Sequence, residues 1–282
     1  MLLYFTYDSR LYAIRAARKQ IPYVTHKKMK YILQWTRKFS APFDFMGTGN
    51  SAFVKNKCKF RNCYVTDDSH YFLNLSDFDA IAFNGRDVIN LWPFEMPKNR
   101  IPRQKYIFGA MESPDNFPAC NENLDGFFNW TWTYKLDSDL RWGYITIYDL
   151  NGTVVGPAID MKWKIDMEPI SEDVKVKLLN KKKAAAWFVS HCSTVNGREY
   201  FAEEVQKELE PYGWTVDVYG RCGTFECPAS MKKSCFKMIE MDYYFYFSFE
   251  NSFSEDYVTE KLLTALDNYA VPVVYGAANY SR

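Results

Sequence analysis

The strongest constraint on the fold is a run that is apolar except for Ser248, YYFYFSF at Tyr243–Phe249, followed by a helical pattern and a second apolar run at Val271–Tyr275. A run of this length and composition predicts a strand that is buried on both faces. A strand, a helix and a further strand in succession form a βαβ unit, in which the two strands are parallel. The same order occurs upstream, where we predict the strand Ala184–Val189, the helix Arg198–Leu209 and the strand Trp214–Tyr219. The second half therefore predicts a Rossmann-like α/β domain.

The first half alternates short apolar runs with turn signals, which is also typical of α/β structure. Strands are predicted at Lys30–Trp35, Cys63–Thr66, Phe78–Phe83, Lys105–Phe108 and Phe127–Tyr134. A polar segment follows, with a helix predicted from Ser171 to Leu179. We therefore predict an N-terminal segment 1–29, a first α/β domain 30–160, a linker 161–183 and a second α/β domain 184–282.

Charge and hydropathy exclude several classes of function. The 35 Lys and Arg residues and the 34 Asp and Glu residues nearly cancel, and no basic tract alternates with aromatic residues, so nucleic acid is not an expected partner. The run Lys181–Lys183 is interpreted as the solvated end of the linker rather than a phosphate-binding patch. No stretch of about 18 apolar residues predicts a membrane span. The N-terminus also lacks the continuous apolar core of a signal peptide.

The seven cysteines are better suited to disulfides than to a metal site. None forms a C-x-x-C pair and the three histidines are scattered, so no zinc site is expected. Spacing alone suggests the pairs Cys58–Cys63 and Cys222–Cys227, with Cys120 as the leftover thiol. Disulfides and four glycosylation sequons favour a secretory lumen; the sequons begin at Asn74, Asn129, Asn151 and Asn279.

Polar residues gather where the strand Tyr243–Phe249 gives way to the next helix. This helix is predicted to begin at Tyr257, and Asn251, Glu260 and Lys261 lie in the preceding loop or the first turn. A helix N-terminus carries unpaired N–H groups and a partial positive charge, so an adjacent lysine makes it a seat for phosphate. The glutamate would accept hydrogen bonds from sugar hydroxyls. Spacing alone equally allows an ordinary solvated first turn.

Four motifs along the chain favour the phosphate-binding interpretation over the solvated first turn. The segment Phe249–Lys261 reads F-E-N-S-x-x-x-D-Y-x-T-E-K and is followed by A-x-P-V-V-x-G. Together they resemble the signature of α1,3-fucosyltransferases, glycosyltransferase family 10. Three other stretches resemble motifs of the same family, namely MESPDNFP at Met111–Pro118, FNWTWTYKLDSDL at Phe128–Leu140 and WFVSHCSTVNGREYFAEEV at Trp187–Val205. The likeness extends from about Tyr31 to Arg282.

The resemblance implies a GT-B architecture, with two Rossmann-like α/β domains facing a cleft. It places the acceptor site mainly in the first domain and GDP-fucose mainly in the second. The implied reaction transfers L-fucose from GDP-β-L-fucose, with inversion, in α1,3 linkage to a GlcNAc residue of an N-glycan or an N-acetyllactosamine-type glycan. Relatives continue beyond the equivalent of Arg282, so the second domain is expected to be incomplete.

Individual residues take roles by matching the motifs of the family. Glu112 matches the proposed general base, the alternative being a structural residue that caps a turn. Arg198 and Lys261 are expected to neutralise the departing diphosphate. Further contacts to the donor ribose, phosphate or fucose are expected from Asn251, Tyr257 and Glu260. The resemblance also implies a disulfide between Cys192 and Cys235.

Two alternatives concern the metal and the activity. Asp137 and Asp139 form a D-x-D pattern, which would hold Mn²⁺ on a nucleotide sugar in metal-dependent transferases of another fold. The family resemblance instead implies that no metal is required and that Mn²⁺ or Mg²⁺ at most stimulates. Family members are type II membrane proteins of the Golgi, and no anchor is visible in this sequence. A catalytically inactive nucleotide-sugar- or glycan-binding module is the alternative function.

Overall fold

A computed structural model describes residues 29–36, 43, 46–91 and 95–282, so the predicted segment 1–29 lies outside the described residues except at its last position. Contacts divide the chain into two compact units, with the boundary between Gly143 and Tyr144. Each unit is built around its own parallel β-sheet. Within the described part of the chain, no helix combines the length and the apolar character that crossing a bilayer requires.

In its described residues, the first unit contains six strands and two short α-helices. They are β1 Lys30–Gln34, α1 Ser51–Lys55, β2 Cys63–Thr66, β3 Ala80–Asn84, α2 Gly85–Val88, β4 Lys105–Ala110, β5 Trp130–Thr133 and β6 Leu140–Arg141. The strands form one sheet in the order β2-β1-β3-β4-β5-β6, and all neighbours are parallel. All five strands predicted for this half are present, with ends shifted by a few residues.

Over residues 144–282, the second unit contains a hairpin, a four-stranded sheet and four α-helices. Its elements are β7 Ile147–Tyr148, β8 Val154–Gly156, α3 Glu172–Leu179, β9 Lys183–Phe188, α4 Arg198–Leu209, β10 Val216–Tyr219, α5 Lys232–Asp242, β11 Tyr243–Phe249, α6 Glu260–Asp267 and β12 Val271–Tyr275. The sheet runs β10-β9-β11-β12 with all neighbours parallel. Helix α5 was not predicted, because only Cys235 and Ile239 of it are buried and its apolar periodicity is weak.

Strand β11 is covered on both faces over most of its length, as its apolar run predicts, although Phe245 is 42% exposed. Phe247 and Phe249 join the core cluster that packs beneath α4, whereas Tyr243 and Tyr246 pack on the opposite face with Ile239 of α5. Right-handed crossovers that run in opposite directions along a parallel sheet place their helices on opposite faces. The crossovers β9–α4–β10 and β11–α6–β12 run in opposite directions here. The predicted fold class, α/β with two parallel-sheet units, is therefore confirmed.

The contacts place the boundary between the two units earlier in the chain than the sequence predicted. Ile145 and Ile147 are buried in a cluster with Leu263 of α6, so residues 144–160 pack with the second unit. The sequence analysis assigned these residues to the first domain, 30–160, and assigned 161–183 to a linker. Those domain limits stay predictions, since the contacts report only which residues pack together.

The run Lys181–Lys183 was predicted as the solvated end of the linker; Lys182 and Lys183 are exposed, but the prediction is wrong for Lys181. Lys181 is only 2% exposed, and its ammonium donates hydrogen bonds to the carbonyl oxygens of Tyr243 (2.7 Å) and Tyr269 (2.6 Å). Burial lowers the pKa of Lys181 to about 8. Lys183 pairs with Asp217 at 2.9 Å. Lys181 and Lys183 therefore link the start of β9 to β10, to β11 and to the turn before β12.

The disulfides differ from each predicted pairing. Cys192 is bonded to Cys222, and Cys227 is bonded to Cys235. The predictions Cys192–Cys235 and Cys222–Cys227 are wrong because β9 and β10 are parallel neighbours, which brings the loops after them, with Cys192 and Cys222, to the same edge of the sheet. Three thiols remain unpaired, those of Cys58, Cys63 and Cys120, so the predicted Cys58–Cys63 bond is also absent.

Candidate functional site

The candidate site of the second unit lies where the direction of its strand order changes. Strand β9 lies between β10 and β11, so the crossovers leaving its carboxyl end and that of β11 diverge to opposite faces of the sheet. In open α/β sheets such a switch point leaves a crevice at the carboxyl ends of the strands, where ligands bind. The loop after β9 and the loop after β11 supply the residues of the site.

The centre of the site is the buried carboxylate of Glu250, which directly follows β11. Its side chain is 1% exposed. The backbone N–H of Thr259 donates to it at 2.7 Å and the Thr259 hydroxyl donates at 2.9 and 3.0 Å. The backbone carbonyl of Glu250 accepts a hydrogen bond from the Asn196 amide at 3.0 Å, which joins the two loops. A buried carboxylate of this kind needs several donors, because burial without them is costly.

Lys261 is the cation paired with this carboxylate. Its Nζ lies 3.1 Å from Glu250 Oε2, 2.6 Å from the Thr259 hydroxyl and 3.7 Å from Glu260 Oε1. Burial lowers the pKa of Lys261, but the carboxylates of Glu250 and Glu260 outweigh this effect and leave the pKa above its ordinary value. The ammonium is therefore charged at the N-terminus of α6. Both the charge and the helix end attract an anion.

Arg198, at the start of α4, is a second cation that interacts with the Glu250 carboxylate. Its guanidinium donates to the carbonyl oxygen of Phe249, the last residue of β11, at 2.7 Å and to that of His191, in the loop after β9, at 3.0 Å. The residue is 4% exposed, so the alternative of a solvated surface arginine is excluded. Its buried Nε–H has no hydrogen-bond partner in the described part of the chain. Burial lowers the pKa of Arg198, and the Glu250 carboxylate opposes that shift.

The other three predicted donor residues lie in the same region with different environments. Asn251 is half-buried directly after Glu250, and Glu260 is 37% exposed in the first turn of α6. Tyr257 is only 2% exposed and packs edge-on against Tyr144, with ring centroids 6.0 Å apart. Tyr257, predicted as the first residue of the helix and as a donor contact, is thus part of the packed interior.

Helix α6 begins later than predicted. It starts at Glu260 with Thr259 at the N-cap position, rather than at Tyr257. Asp256 has a left-handed backbone, with φ of +59°, and so lies outside the helix. The start is displaced because the Glu250 carboxylate accepts hydrogen bonds from the backbone N–H and the hydroxyl of Thr259. This contact joins the end of β11 to the helix, and local periodicity does not reveal it.

The first unit carries the residue predicted as the general base. Glu112 is exposed two residues after the end of β4, and its Oε2 accepts a hydrogen bond from the Asn116 amide at 3.3 Å. Glu112 therefore lies at the carboxyl end of a parallel strand, and its role as the base stays a prediction. The five predicted donor residues belong to the other unit, where Arg198 and Lys261 share Glu250.

The D-x-D pattern has local protein partners. Asp139 Oδ2 accepts hydrogen bonds from the backbone N–H of Thr131 at 2.8 Å and from its hydroxyl at 3.1 Å, and these bonds lower the pKa of Asp139. Asp137 pairs with Lys135 at 3.5 Å. In the described ranges, no group of three or more His, Cys, Asp or Glu residues is arranged to hold a metal ion. The hydrogen bonds of Asp139 thus connect β5 to the turn before β6.

Family models match both halves of the chain. The model for the N-terminal region of fucosyltransferases matches residues 27–145, and the model for the C-terminal region of glycosyltransferase family 10 (fucosyltransferase) matches residues 178–282. The second match contains the whole cluster of Arg198, Glu250 and Lys261. The chain belongs to glycosyltransferase family 10, the fucosyltransferases.

Two relatives from Drosophila melanogaster are similar over most of the chain. Alpha-(1,3)-fucosyltransferase C is 37% identical over 227 residues, which is 80% of this chain and 52% of the relative. Glycoprotein 3-alpha-L-fucosyltransferase A is 32% identical over 233 residues, which is 81% of this chain and 40% of the relative. The chain thus spans about half the length of the curated relatives it matches.

A solved structure agrees with the fold. The crystal structure of an alpha1,3-fucosyltransferase with GDP-fucose matches with a TM-score of 0.50 and 15% sequence identity, covering 95% of this chain and 74% of the other. At this identity the match supports the fold alone, which is that of the GT-B fucosyltransferases.

Sequence reasoning missed two members of the cluster. Glu250 and Thr259 both lie inside the motif FENSFSEDYVTEK, but neither was assigned a role. The signal was the glutamate directly after a strand that is apolar except for Ser248, since a charged residue there must be paired when it is buried.

Proposed function

We propose that this protein transfers L-fucose from GDP-β-L-fucose in α1,3 linkage to a GlcNAc residue of a glycoprotein glycan, with inversion at the anomeric carbon. The observation that carries the proposal is the cluster of Arg198 and Lys261 around Glu250 at the switch point of the second sheet. The names of the Drosophila relatives support fucose transfer and the linkage, and GDP-fucose is the donor present in the solved fucosyltransferase whose fold this chain shares.

The donor diphosphate is proposed to lie at the N-terminus of α6. A protonated lysine has three N–H donors, and the bonds to Glu250 and Thr259 use two of them. The third N–H of Lys261, the helix N-terminus and the unpartnered Nε–H of Arg198 supply positive potential for the phosphates. Charge that develops on the departing diphosphate would be stabilised there. Asn251, Tyr257 and Glu260 complete the proposed donor site, Tyr257 as a packed support.

The acceptor is proposed to be activated by Glu112 in a single displacement. The acceptor hydroxyl gives its proton to the Glu112 carboxylate while its oxygen forms a bond to fucose C1. The bond from C1 to the β-phosphate oxygen breaks, and GDP departs with the electron pair. A single attack from the opposite face inverts the anomeric centre. General-base catalysis of this kind contributes about 10²- to 10⁴-fold to the rate.

No metal is required in this proposal, although Mn²⁺ or Mg²⁺ would be tolerated as a stimulant. The support is that the diphosphate has cationic side chains available, while Asp139 is engaged by Thr131 in the first unit. We further propose that the protein acts in the Golgi lumen, as part of a type II membrane protein. The bonds Cys192–Cys222 and Cys227–Cys235 support an oxidising compartment.

The test of this function is incubation of the protein with GDP-fucose and a panel of acceptors, with the products identified by mass and linkage analysis. The panel contains a chitobiose-core N-glycan, N-acetyllactosamine and a LacdiNAc glycan. Addition of one α1,3-linked fucose to one of them, persisting in excess EDTA, is expected. Binding of GDP-fucose without transfer to any acceptor would instead identify an inactive nucleotide-sugar-binding module, and loss in EDTA that Mn²⁺ restores would contradict the metal-independent reaction.

A further inference from the structure

The β7–β8 hairpin of the second unit carries the sequon Asn151-Gly152-Thr153 at its tip. The turn is held by Asp149, whose Oδ1 accepts hydrogen bonds from the backbone N–H groups of Asn151 at 2.9 Å and Thr153 at 2.8 Å. Gly152 has a left-handed backbone, with φ of +76°, and donates its N–H to the Asp149 carbonyl at 3.0 Å. The geometry of the turn therefore depends on Asp149 and Gly152, and it does not use the side chain of Asn151 or of Thr153.

Both reactive side chains of this sequon are available. Asn151, Gly152 and Thr153 are all exposed, and neither the Asn151 amide nor the Thr153 hydroxyl has a hydrogen-bond partner in the described part of the chain. A Cβ atom added at Gly152 would meet no described atom within 4 Å, so the space around the tip is open. A bulky group attached to Asn151 would therefore extend into solvent without displacing a contact of the fold.

The other three sequons have engaged side chains or partly buried residues. The amide oxygens of Asn129 and Asn279 accept hydrogen bonds from neighbouring residues. The two residues that complete the sequon of Asn74 are half-buried. All four sequons lie in the described part of the chain, and within it only the sequon of Asn151 combines full exposure with two unengaged reactive side chains.

Apolar side chains beside the hairpin tip are exposed to solvent. Leu150 is 63% exposed, Val154 is 52% exposed and Val155 is 40% exposed. Adjoining apolar groups on a protein surface favour association between molecules. An N-linked oligosaccharide is bulky and solubilising, so one attached to Asn151 would keep this surface apart from other chains.

We propose that Asn151 is an N-glycosylation site and that its glycan shields the exposed apolar surface of the β7–β8 hairpin. In the lumen of the secretory pathway, an oligosaccharyltransferase joins Asn151 to the sugar of a lipid-linked oligosaccharide diphosphate. The amide nitrogen forms a bond to C1 of the first sugar and loses a proton. The bond from C1 to the phosphate oxygen breaks, and the lipid diphosphate departs with the electron pair. This inference shares only the secretory compartment with the proposed function, because the hairpin contributes no residue to the proposed donor site or base.

The test is glycan analysis of the full chain after it has been directed into the secretory pathway of insect cells. Treatment with a peptide N-glycanase in heavy-oxygen water converts a glycosylated asparagine into labelled aspartate, which mass spectrometry locates in the sequence. We expect the label at Asn151 in most of the molecules. A folded, disulfide-bonded protein in which Asn151 stays unlabelled would overturn the inference.

Two substitutions remove the site by different routes. Asn151→Gln removes the asparagine and Thr153→Ala removes only the hydroxyl that the sequon requires, so each is expected to lower the mass of the secreted protein by one glycan. Thr153→Ser keeps a hydroxyl and is expected to keep the glycan. The matched control, Asn180→Gln, changes an exposed asparagine outside any sequon and is expected to keep it as well. Retention of the wild-type glycan mass by Asn151→Gln would contradict the assignment.

The shielding role has its own readout. Asn151→Gln is expected to bind more of an apolar fluorescent dye than the wild type, and adding Leu150→Ser to this variant is expected to reverse the gain. Equal dye binding by the glycosylated and the unglycosylated protein would overturn the shielding. Circular dichroism and the melting temperature establish that each variant is folded. Absence of fucosyl transfer by a folded protein that is glycosylated at Asn151 would overturn the proposed function and leave this inference standing.

Discussion

Glu112→Gln is expected to bind GDP-fucose with unchanged affinity and to transfer fucose about 10³-fold more slowly than the wild type. Glutamine has the shape of glutamate but does not take a proton from the acceptor, so the general-base contribution is lost. Donor affinity is unchanged because the proposed donor residues belong to the other unit. The measurement is initial rates with the best acceptor of the panel, beside calorimetric titration of GDP.

The matched control for this prediction lies in the same loop. Asp115→Asn removes a carboxylate from an exposed neighbour of Glu112 and is expected to retain transfer within about twofold of the wild type. Near-wild-type turnover by Glu112→Gln would remove Glu112 from the role of base. Equal losses in the two variants would indicate an effect of loop charge rather than proton transfer.

Glu250→Ala is expected to lower the free energy of unfolding by about 3–5 kcal/mol, the range for breaking a buried ion pair from one side. The change leaves Lys261 without its main counter-ion and removes the acceptor of the Thr259 N–H. It also removes the negative charge that lies between Lys261 and Arg198. The measurement is urea-induced unfolding of the full chain, followed by circular dichroism.

A surface ion pair provides the comparison for Glu250. Glu204 pairs with Lys207 at 2.6 Å, but their side chains are 66% and 64% exposed. Exposed pairs of this kind contribute at most about 1 kcal/mol, so Glu204→Ala is expected to have little effect. If Glu250→Ala costs no more than Glu204→Ala, the carboxylate is not the centre that holds the loops after β9 and β11 together.

The regular elements of the second sheet could be predicted because their signals are local. The strands β11 and β12 and the helix α4 have the predicted limits, since an apolar run or a 3.6-residue period marks each of them. Helix α5 was missed because few of its residues face the core. The start of α6 was misplaced because a contact with Glu250, nine residues before Thr259, decides where the helix begins.

The site was predictable in location more than in detail. Lys261 and Glu260 were placed at a helix N-terminus by the order of strand, loop and helix. The burial of Tyr257 and the bonds of Arg198 to two backbone carbonyls depend on packing between separate loops, which spacing does not encode. Disulfide connectivity has the same origin, since Cys192 meets Cys222 only because β9 and β10 are neighbours.

The most direct test of the account is calorimetric titration of GDP into the wild type, Lys261→Ala and Lys261→Arg, with Lys207→Ala as a surface control. The account predicts that Lys261→Ala weakens GDP binding about 10- to 100-fold, because a charged hydrogen bond to the diphosphate is lost. Lys261→Arg is expected to retain part of the affinity and Lys207→Ala all of it. Equal GDP affinity in the folded wild type and the folded Lys261→Ala protein would contradict a donor site at the N-terminus of α6.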